Sequence, residues 1–245
     1  MHNQIFYLIF ISNLFMASFG FADGEKFILP TKSLVSGWEI SGEEPIPLHE
    51  AVAMGNLKEV KKLVREGADI NAVTMNMFTP LHVAVMENQY EIAKFLLTHG
   101  ANVNAIGENG ESLETPLHLS VGRDGNIEMA KLLLRHGGNA NALNSHKATP
   151  LHHAVGLGNL DMVQLLLKGG ADSNIQDIFG ATSLHHAAYL FVKGYPNRLT
   201  IVNLLIKHGA DINKPDYEDK VPLDIAVESE DNEMVDLLIK YGAKK

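Results

Sequence analysis

The sequence predicts an all-α solenoid in which short helix pairs stack on one another, because three residue patterns recur along residues 46–245 with one base period. One pattern is a tetrapeptide of the Thr-Pro-Leu-His type, and the other two are a glycine and an asparagine that follow it. Successive tetrapeptides begin 33, 36, 34, 33 and 39 residues apart, at Ile46, Thr79, Thr115, Thr149, Thr182 and Val221. The glycines are Gly67, Gly100, Gly137, Gly170, Gly209 and Gly242, and the asparagines are Asn71, Asn104, Asn141, Asn174 and Asn213. These columns predict six units, at residues 46–78, 79–114, 115–148, 149–181, 182–220 and 221–245.

Each unit begins with residues that favour the start of a helix. A threonine hydroxyl can cap free amides there, and proline fits the first turn because its missing N–H would be unpaired anyway. A short helix with small residues such as Ala154 follows, and then a Gly-Asn turn such as residues 158–159. The second helix carries an apolar face, for example Val163 and Leu166, and the recurring glycine closes it. One such pair cannot be stable alone, so we expect neighbouring pairs to share a continuous core.

The tetrapeptides, the Gly-Ala-Asp-x-Asn endings and the 33-residue pitch of residues 46–245 resemble the ankyrin repeat family. The resemblance implies helix pairs joined by projecting β-hairpin loops, with a concave face that binds other proteins. It also implies that the tetrapeptide histidines bond to the threonine hydroxyl and nearby backbone. The departures from the pattern are Ile46 and Val221 in place of threonine, Ser183 in place of proline and Asp224 in place of histidine. The last unit stops after Ala243, and we expect it to be a C-terminal cap.

The N-terminus has the features of a signal peptide. Residues 1–22 contain no Asp, Glu, Lys or Arg and include an apolar run from Ile5 to Phe15. Gly20 and Ala22 place small residues before a possible cleavage site at Asp23. The prediction is a cleaved signal peptide and an exported protein, either periplasmic or secreted. An uncleaved membrane anchor and a buried core helix are the alternatives.

Residues 23–45 follow no repeat pattern and form an N-terminal extension. Phe27, Ile28, Leu29 and Trp38 make this extension too apolar for a free linker. We expect part of it to pack against the first unit.

Composition excludes several classes of function. The formal charge of −9 disfavours nucleic acid as a partner, because phosphate binding needs clusters of Lys and Arg. The absence of cysteine excludes disulfides, thiolate catalysis and cysteine-based zinc sites. Neither a phosphate-binding loop, a dinucleotide fingerprint nor a nucleophile elbow occurs, so we predict no enzyme and no cofactor.

Twelve histidines suggest a metal site as an alternative. Eight of them follow the repeat, which favours a structural explanation: His49, His82, His99, His118, His136, His152, His185 and His208. His153 and His186 occupy equivalent positions in successive units, and their spacing of about 10 Å is long for two ligands of one zinc. We therefore expect a structural or surface pair.

Candidate binding residues are apolar side chains where the repeat expects polar ones. They are Met54, Met75, Phe78, Met86, Leu157, Ile178, Phe179, Tyr189, Phe191, Tyr195 and Tyr217, with Met77 beside them. Exposed apolar strips rimmed by charge mark interfaces. The alternative is that these residues pack on one another.

Three insertions explain the irregular spacing: three residues in the loop 106–114, one within 122–125 and six within 189–198. Insertions in solenoids map to loops and are often binding features. The alternative for 189–198 is a lengthened helix that packs on the neighbouring unit.

The predicted function is a monomeric, non-catalytic module that binds a partner protein. The acidic balance favours a partner with a basic patch. The same module on an uncleaved anchor, and a histidine-based metal protein or enzyme, are the alternatives.

Overall fold

A computed structural model describes residues 46–109, 112–122, 126–189 and 196–244. The predicted signal segment, the extension 23–45 and the centre of the insertion, with Phe191 and Tyr195, lie outside the described residues. The chain divides after Gly138 into two compact units. None of the helices in the described ranges is both long and apolar enough to cross a membrane.

The described residues of the first unit form three helix pairs and a short β-hairpin. The pairs are α1 (Pro47–Ala53) with α2 (Leu57–Arg65), α3 (Pro80–Met86) with α4 (Tyr90–Thr98), and α5 (Pro116–Gly122) with α6 (Ile127–Arg135). Strands β1 (Gly107–Asn109) and β2 (Ser112–Glu114) are antiparallel, with Gly107 opposite Glu114. The first helix of each pair packs on the second, and within this unit α1 packs on α3 and α3 packs on α5. We call α1, α3 and α5 the inner helices and α2, α4 and α6 the outer helices.

In the second unit the part of the chain that the structure describes forms three further helix pairs. They are α7 (Pro150–Gly156) with α8 (Leu160–Lys168), α9 (Ser183–Ala188) with α10 (Arg198–Lys207), and α11 (Pro222–Glu228) with α12 (Asn232–Lys240). Here α7, α9 and α11 are the inner helices, and each packs on its neighbour in the same way. The outer helices α8, α10 and α12 also pack in sequence.

The predicted helix signals are confirmed by the caps. At α7 the Thr149 hydroxyl accepts a hydrogen bond from the backbone N–H of His152, and Pro150 fills the first turn. At α8 the side chain of Asn159 accepts from the backbone N–H of Met162. The glycine that ends α8, Gly170, has a φ of 88°, a conformation that glycine adopts at little cost. The Thr-Pro start and the glycine end thus work as the sequence indicates.

The core of each unit is a row of leucines from the tetrapeptides. Leu48, Leu81, Leu117, Leu151, Leu184 and Leu223 are all buried. The outer helix of the second pair in the first unit buries Ile92, Ala93, Leu96 and Leu97 against them. In α2 only Val60 is fully buried, and Leu63 and Val64 are half-buried. The first pair has a described neighbour on one side only, which accounts for this difference.

Candidate functional site

The tetrapeptide histidines tie each inner helix to the loop that follows its pair. In His82 the Nδ1 atom accepts a hydrogen bond from the Thr79 backbone N–H at 3.1 Å and lies 2.9 Å from the Thr79 hydroxyl. The opposite nitrogen, Nε2, therefore carries the proton and donates to the carbonyl of Glu114 at 3.3 Å. The same pattern repeats at His152, whose Nε2 bonds to the Ala181 carbonyl. The role that the family resemblance implied for these histidines is confirmed.

Burial keeps these imidazoles neutral. It lowers the pKa of His82 to about 4 and the pKa of His152 to about 3. Burial also lowers the pKa of His49 and of His185. A protonated ring could not accept at Nδ1, so the bonds to threonine require the neutral form.

The recurring asparagines bridge neighbouring helix pairs. Asn174 donates from Nδ2 to the Gly209 carbonyl at 2.8 Å, and its Oδ1 accepts from the Asp211 backbone N–H at 2.7 Å. Asn71 makes the equivalent two bonds to Gly100 and Asn102 in the first unit. The column of asparagines is visible in the sequence, but the sequence does not indicate that these side chains bridge helix pairs. The signal is the constant spacing of four residues between each recurring glycine and the asparagine that follows it.

The loops before the inner helices are held as narrow hairpins, which we call fingers. Finger 1 is residues 72–78 and finger 2 is the described residues 105–109 and 112–114, both in the first unit. Fingers 3, 4 and 5 are residues 142–148, 175–181 and 214–220 in the second unit.

In the second unit a buried side chain braces each finger from within. Asp177 Oδ1 accepts from the backbone N–H groups of Phe179 and Ala181 at 2.9 and 3.0 Å. Asn144 and Asp216 make the same two bonds in fingers 3 and 5. The exposed side chains of these fingers therefore stand on a fixed backbone.

Neighbouring fingers are also joined within each unit. In the first unit the Glu108 N–H donates to the Asn76 carbonyl at 2.8 Å. In the second unit the Ile178 N–H donates to His146, and the Tyr217 N–H donates to Phe179. Each unit thus presents its fingers as one surface.

The predicted binding residues divide by exposure. Three are well exposed: Met54 at 64%, Met75 at 74% and Tyr217 at 65%. Five are half-buried: Met86, Leu157, Ile178, Phe179 and Tyr189. Whether any of them binds a partner stays a prediction.

The expectation that Phe78 faces solvent is wrong, because only 7% of the residue is exposed. Its ring centre lies 5.7 Å from that of His82, and its edge fills the space beside Gly107, where a Cβ atom would come within 2.5 Å of the ring. The Phe78 carbonyl accepts from His49 Nε2 at 2.9 Å. The residue therefore packs finger 1 onto its neighbours.

Exposed apolar residues that the sequence interpretation missed lie on the same fingers. Val73, Ile106 and Leu143 occupy equivalent places on three successive fingers, and all three are exposed. Leu113 is exposed on the second strand of finger 2. The sequence signal for Val73, Ile106 and Leu143 was the apolar residue that recurs at this position of the repeat.

His153 and His186 are buried inside the second unit, not paired on a surface. His186 Nε2 lies 2.9 Å from Asp177 Oδ2, and His153 Nε2 lies 3.2 Å from Asn144 Nδ2. Burial is the largest influence on the Asp177 carboxyl and raises its pKa. The hydrogen bonds from His186 and the Phe179 N–H, together with the electrostatic effect of His186 and His152, outweigh it and hold the pKa below its usual value. Each histidine thus fastens a finger to the inner helix that follows. Within the described ranges no three His, Asp or Glu side chains are placed to hold a metal ion.

These features, helix pairs stacked within each unit and bridged by recurring side chains, define a helical repeat protein. The chain belongs to the ankyrin repeat family: the family model for ankyrin repeats, in three copies, matches residues 26–107, 106–177 and 169–245.

Several solved structures are similar. An ankyrin repeat domain from Acinetobacter baumannii AYE is 29% identical, with a TM-score of 0.74, over 82% of this chain and all of that chain. The human ASB11 ankyrin repeat domain is 31% identical, with a TM-score of 0.62, over 81% of this chain and 84% of that one. A third similar chain is one found in a solved complex of a predatory endopeptidase from Bdellovibrio bacteriovorus with an immunity protein. It is 27% identical, with a TM-score of 0.66, over 81% of this chain and 99% of that one. Among curated proteins, no sequence matches the chain.

Proposed function

We propose that this chain is an exported, monomeric, non-catalytic module of six ankyrin repeats that binds a partner protein on its fingers and inner helices. Ankyrin repeats are generally protein-interaction modules, and membership of that family supports the proposal. The observation that carries it is the exposure of large apolar side chains, Met75 and Tyr217 above all, on fingers whose backbone is hydrogen-bonded in place.

Rigid presentation favours binding because little conformational entropy is lost when a partner docks. Large flexible or aromatic side chains standing in solvent are the usual anchors of such interfaces. The fingers satisfy both conditions, since hydrogen bonds within and between them hold their backbones and side chains such as Met75 and Tyr217 stand in solvent.

A basic patch on the partner would complement the acidic balance of the chain. One similar solved structure holds an endopeptidase together with an immunity protein, so exported enzymes are the first class of partner to test.

The test uses protein expressed with its own residues 1–22, purified, immobilised and exposed to the proteins of the same compartment. We expect the double variant Met75→Ser with Tyr217→Ser to lose its partner while its helical circular dichroism stays unchanged. The control is Lys61→Ser with Lys207→Ser, which alters exposed residues of the outer helices α2 and α10 and should retain the partner. Equal capture by both double variants would refute the assignment of the surface.

The N-terminal residue of the purified protein tests the route of export. Mass spectrometry should find a chain that begins at Asp23. An intact Met1 would instead support the membrane-anchored scaffold.

A further inference from the structure

We propose that fingers 1 and 2 of the first unit form a methionine-anchored site for a basic, apolar segment of the partner, with Met75 and Met77 as its anchors. This inference rests on the proposed function and adds to it the place of contact and the chemistry of the segment.

The two fingers expose a group of apolar side chains. The group comprises Val73, Met75, Met77, Ile106 and Leu113, which are between 38% and 74% exposed. The Glu108 N–H to Asn76 carbonyl bond joins the fingers at their tips, and Phe78 packs beneath them against Gly107. The backbone that carries this apolar group is therefore held in place by packing and by the hydrogen bond between the two fingers.

Met77 has a backbone conformation that is unfavourable for a methionine. Its φ is 55°, in the left-handed region, where the equivalent residues of fingers 3, 4 and 5 are Lys147, Gly180 and Asp219. A methionine there costs stability that a glycine would not. Its side chain is also 39% exposed, so burial compensates only in part. Strained residues of this kind concentrate at functional sites, and contact with a partner would explain why a methionine stands here.

The positively charged residues of the first unit are unevenly distributed between its fingers and its outer helices. No Lys or Arg occurs in residues 66–93 or 95–122, which include both fingers and the inner helices α3 and α5. The same residues carry Glu87 and Glu108. In the described part of the first unit every Lys and Arg lies on an outer helix: Lys58, Lys61, Lys62, Arg65, Lys94, Lys131 and Arg135. Among the described residues, the finger side of this unit therefore carries carboxylates and neither lysine nor arginine, which favours a cationic ligand.

The second unit differs on this point. Its fingers carry Lys147, Lys214 and Lys220 together with the exposed acids Glu218 and Asp219, and in finger 5 Lys220 pairs with Glu228 at 3.0 Å. A basic segment would meet lysines there as well as carboxylates, whereas the described residues of fingers 1 and 2 carry no lysine or arginine. The first unit is thus the better match for a cationic segment.

Methionine defines the rest of the segment's chemistry. Its flexible, polarisable side chain adapts to aliphatic and aromatic groups of different shape. Methionines bordered by carboxylates suit a segment that presents Leu, Ile or Phe on one side and Lys or Arg beside them, as an amphipathic helix does. An acidic segment would be repelled.

The experiment titrates fluorescein-labelled peptides into the protein expressed with its own residues 1–22 and follows fluorescence anisotropy. The probe is an 18-residue amphipathic peptide of leucine and lysine, and its matched control replaces every lysine with glutamate. We expect saturable binding of the lysine peptide, weakened by added salt, and at least about tenfold weaker binding of the glutamate peptide.

Three single variants separate binding from folding. Met77→Gly should raise the urea midpoint and weaken the lysine peptide about tenfold, because it relieves strain and removes an anchor. Lys147→Gly, at the same left-handed position of finger 3, should also raise the midpoint but leave affinity within about twofold. Met75→Ser should weaken binding of the lysine peptide as Met77→Gly does, and it should leave the urea midpoint unchanged.

Three results would overturn the inference: no binding of the lysine peptide, equal binding of the glutamate peptide, or unchanged affinity in both methionine variants. These outcomes are distinct from failure of the proposed function. If a partner is captured and the methionine variants retain it, only this inference fails. If no partner of the full chain is found while the peptide binds as described, the fault lies with the proposed function.

Discussion

Acid should destabilise this protein through its buried histidines, at a pH well above that at which carboxylates become protonated. His82 and His152 must be neutral to accept hydrogen bonds from Thr79 and Thr149, and burial lowers their pKa values from 6.5 to about 4 and about 3. In the unfolded chain both rings would titrate near 6.5. The unfolded state therefore binds more protons below that pH, and the free energy of unfolding falls as the pH falls.

The size of the effect follows from linkage. The stability that each histidine contributes is complete above pH 6.5 and is lost as the pH drops toward the pKa of the folded state. Between pH 7.5 and pH 5, one ring that protonates only on unfolding removes about 2 kcal/mol. His82 and His152 together remove about 4 kcal/mol, one in each unit, and the lowered pKa values of His49 and His185 act in the same direction. Asp177 does not interfere, because its lowered pKa places its titration below this range.

The assay is urea unfolding followed by circular dichroism at pH 7.5 and pH 5, compared with the variant His152→Gln. This variant should be less stable at pH 7.5, since it loses the bond to the Ala181 carbonyl, yet its loss between the two pH values should be about 2 kcal/mol smaller. If the variant loses as much as the natural chain, His152 is not the neutral, buried acceptor described here. A natural chain equally stable at both pH values would refute the reasoning for the whole column.

Two substitutions test the connections between helix pairs of the second unit. Asn174→Ala removes both bonds to Gly209 and Asp211 and should lower the free energy of unfolding by about 2 kcal/mol; an unchanged urea midpoint would show that the bridge contributes nothing. Gly180→Ala would place a Cβ atom 2.6 Å from the backbone nitrogen of Tyr217, whereas Gly209→Ala, also at a positive φ, meets no atom within 4 Å. The first should cost at least about 1 kcal/mol more than the second in thermal or urea unfolding, and equal losses would contradict the close approach of fingers 4 and 5.

Local signals in the sequence predicted most of the fold. The Thr-Pro pairs at residues 79–80 and 149–150 marked helix starts, and Gly170 marked a helix end, because each depends on backbone groups within a few residues. The recurrence of those signals at one pitch then implied stacking, since an isolated pair has too little apolar surface to fold.

The candidate site was predicted less completely because exposure depends on neighbours distant in sequence. Phe78 and Met75 look alike as apolar residues of finger 1, but Phe78 is buried against Gly107 and Met75 stands in solvent. Gly107 lies 29 residues further on, in a loop whose extra length gave no indication of what it would cover.

By itself, then, the sequence determined the helix pairs, their boundaries and the family, because caps, turns and periodicity are short-range properties of the chain. The tertiary structure alone decided which polar side chains are bridges and which apolar ones remain exposed. His186 could have been a surface residue until the fold brought Asp177 within 2.9 Å of it. The physical reason is that burial and hydrogen-bond partners are set by packing between helix pairs, which the order of residues within one repeat does not specify.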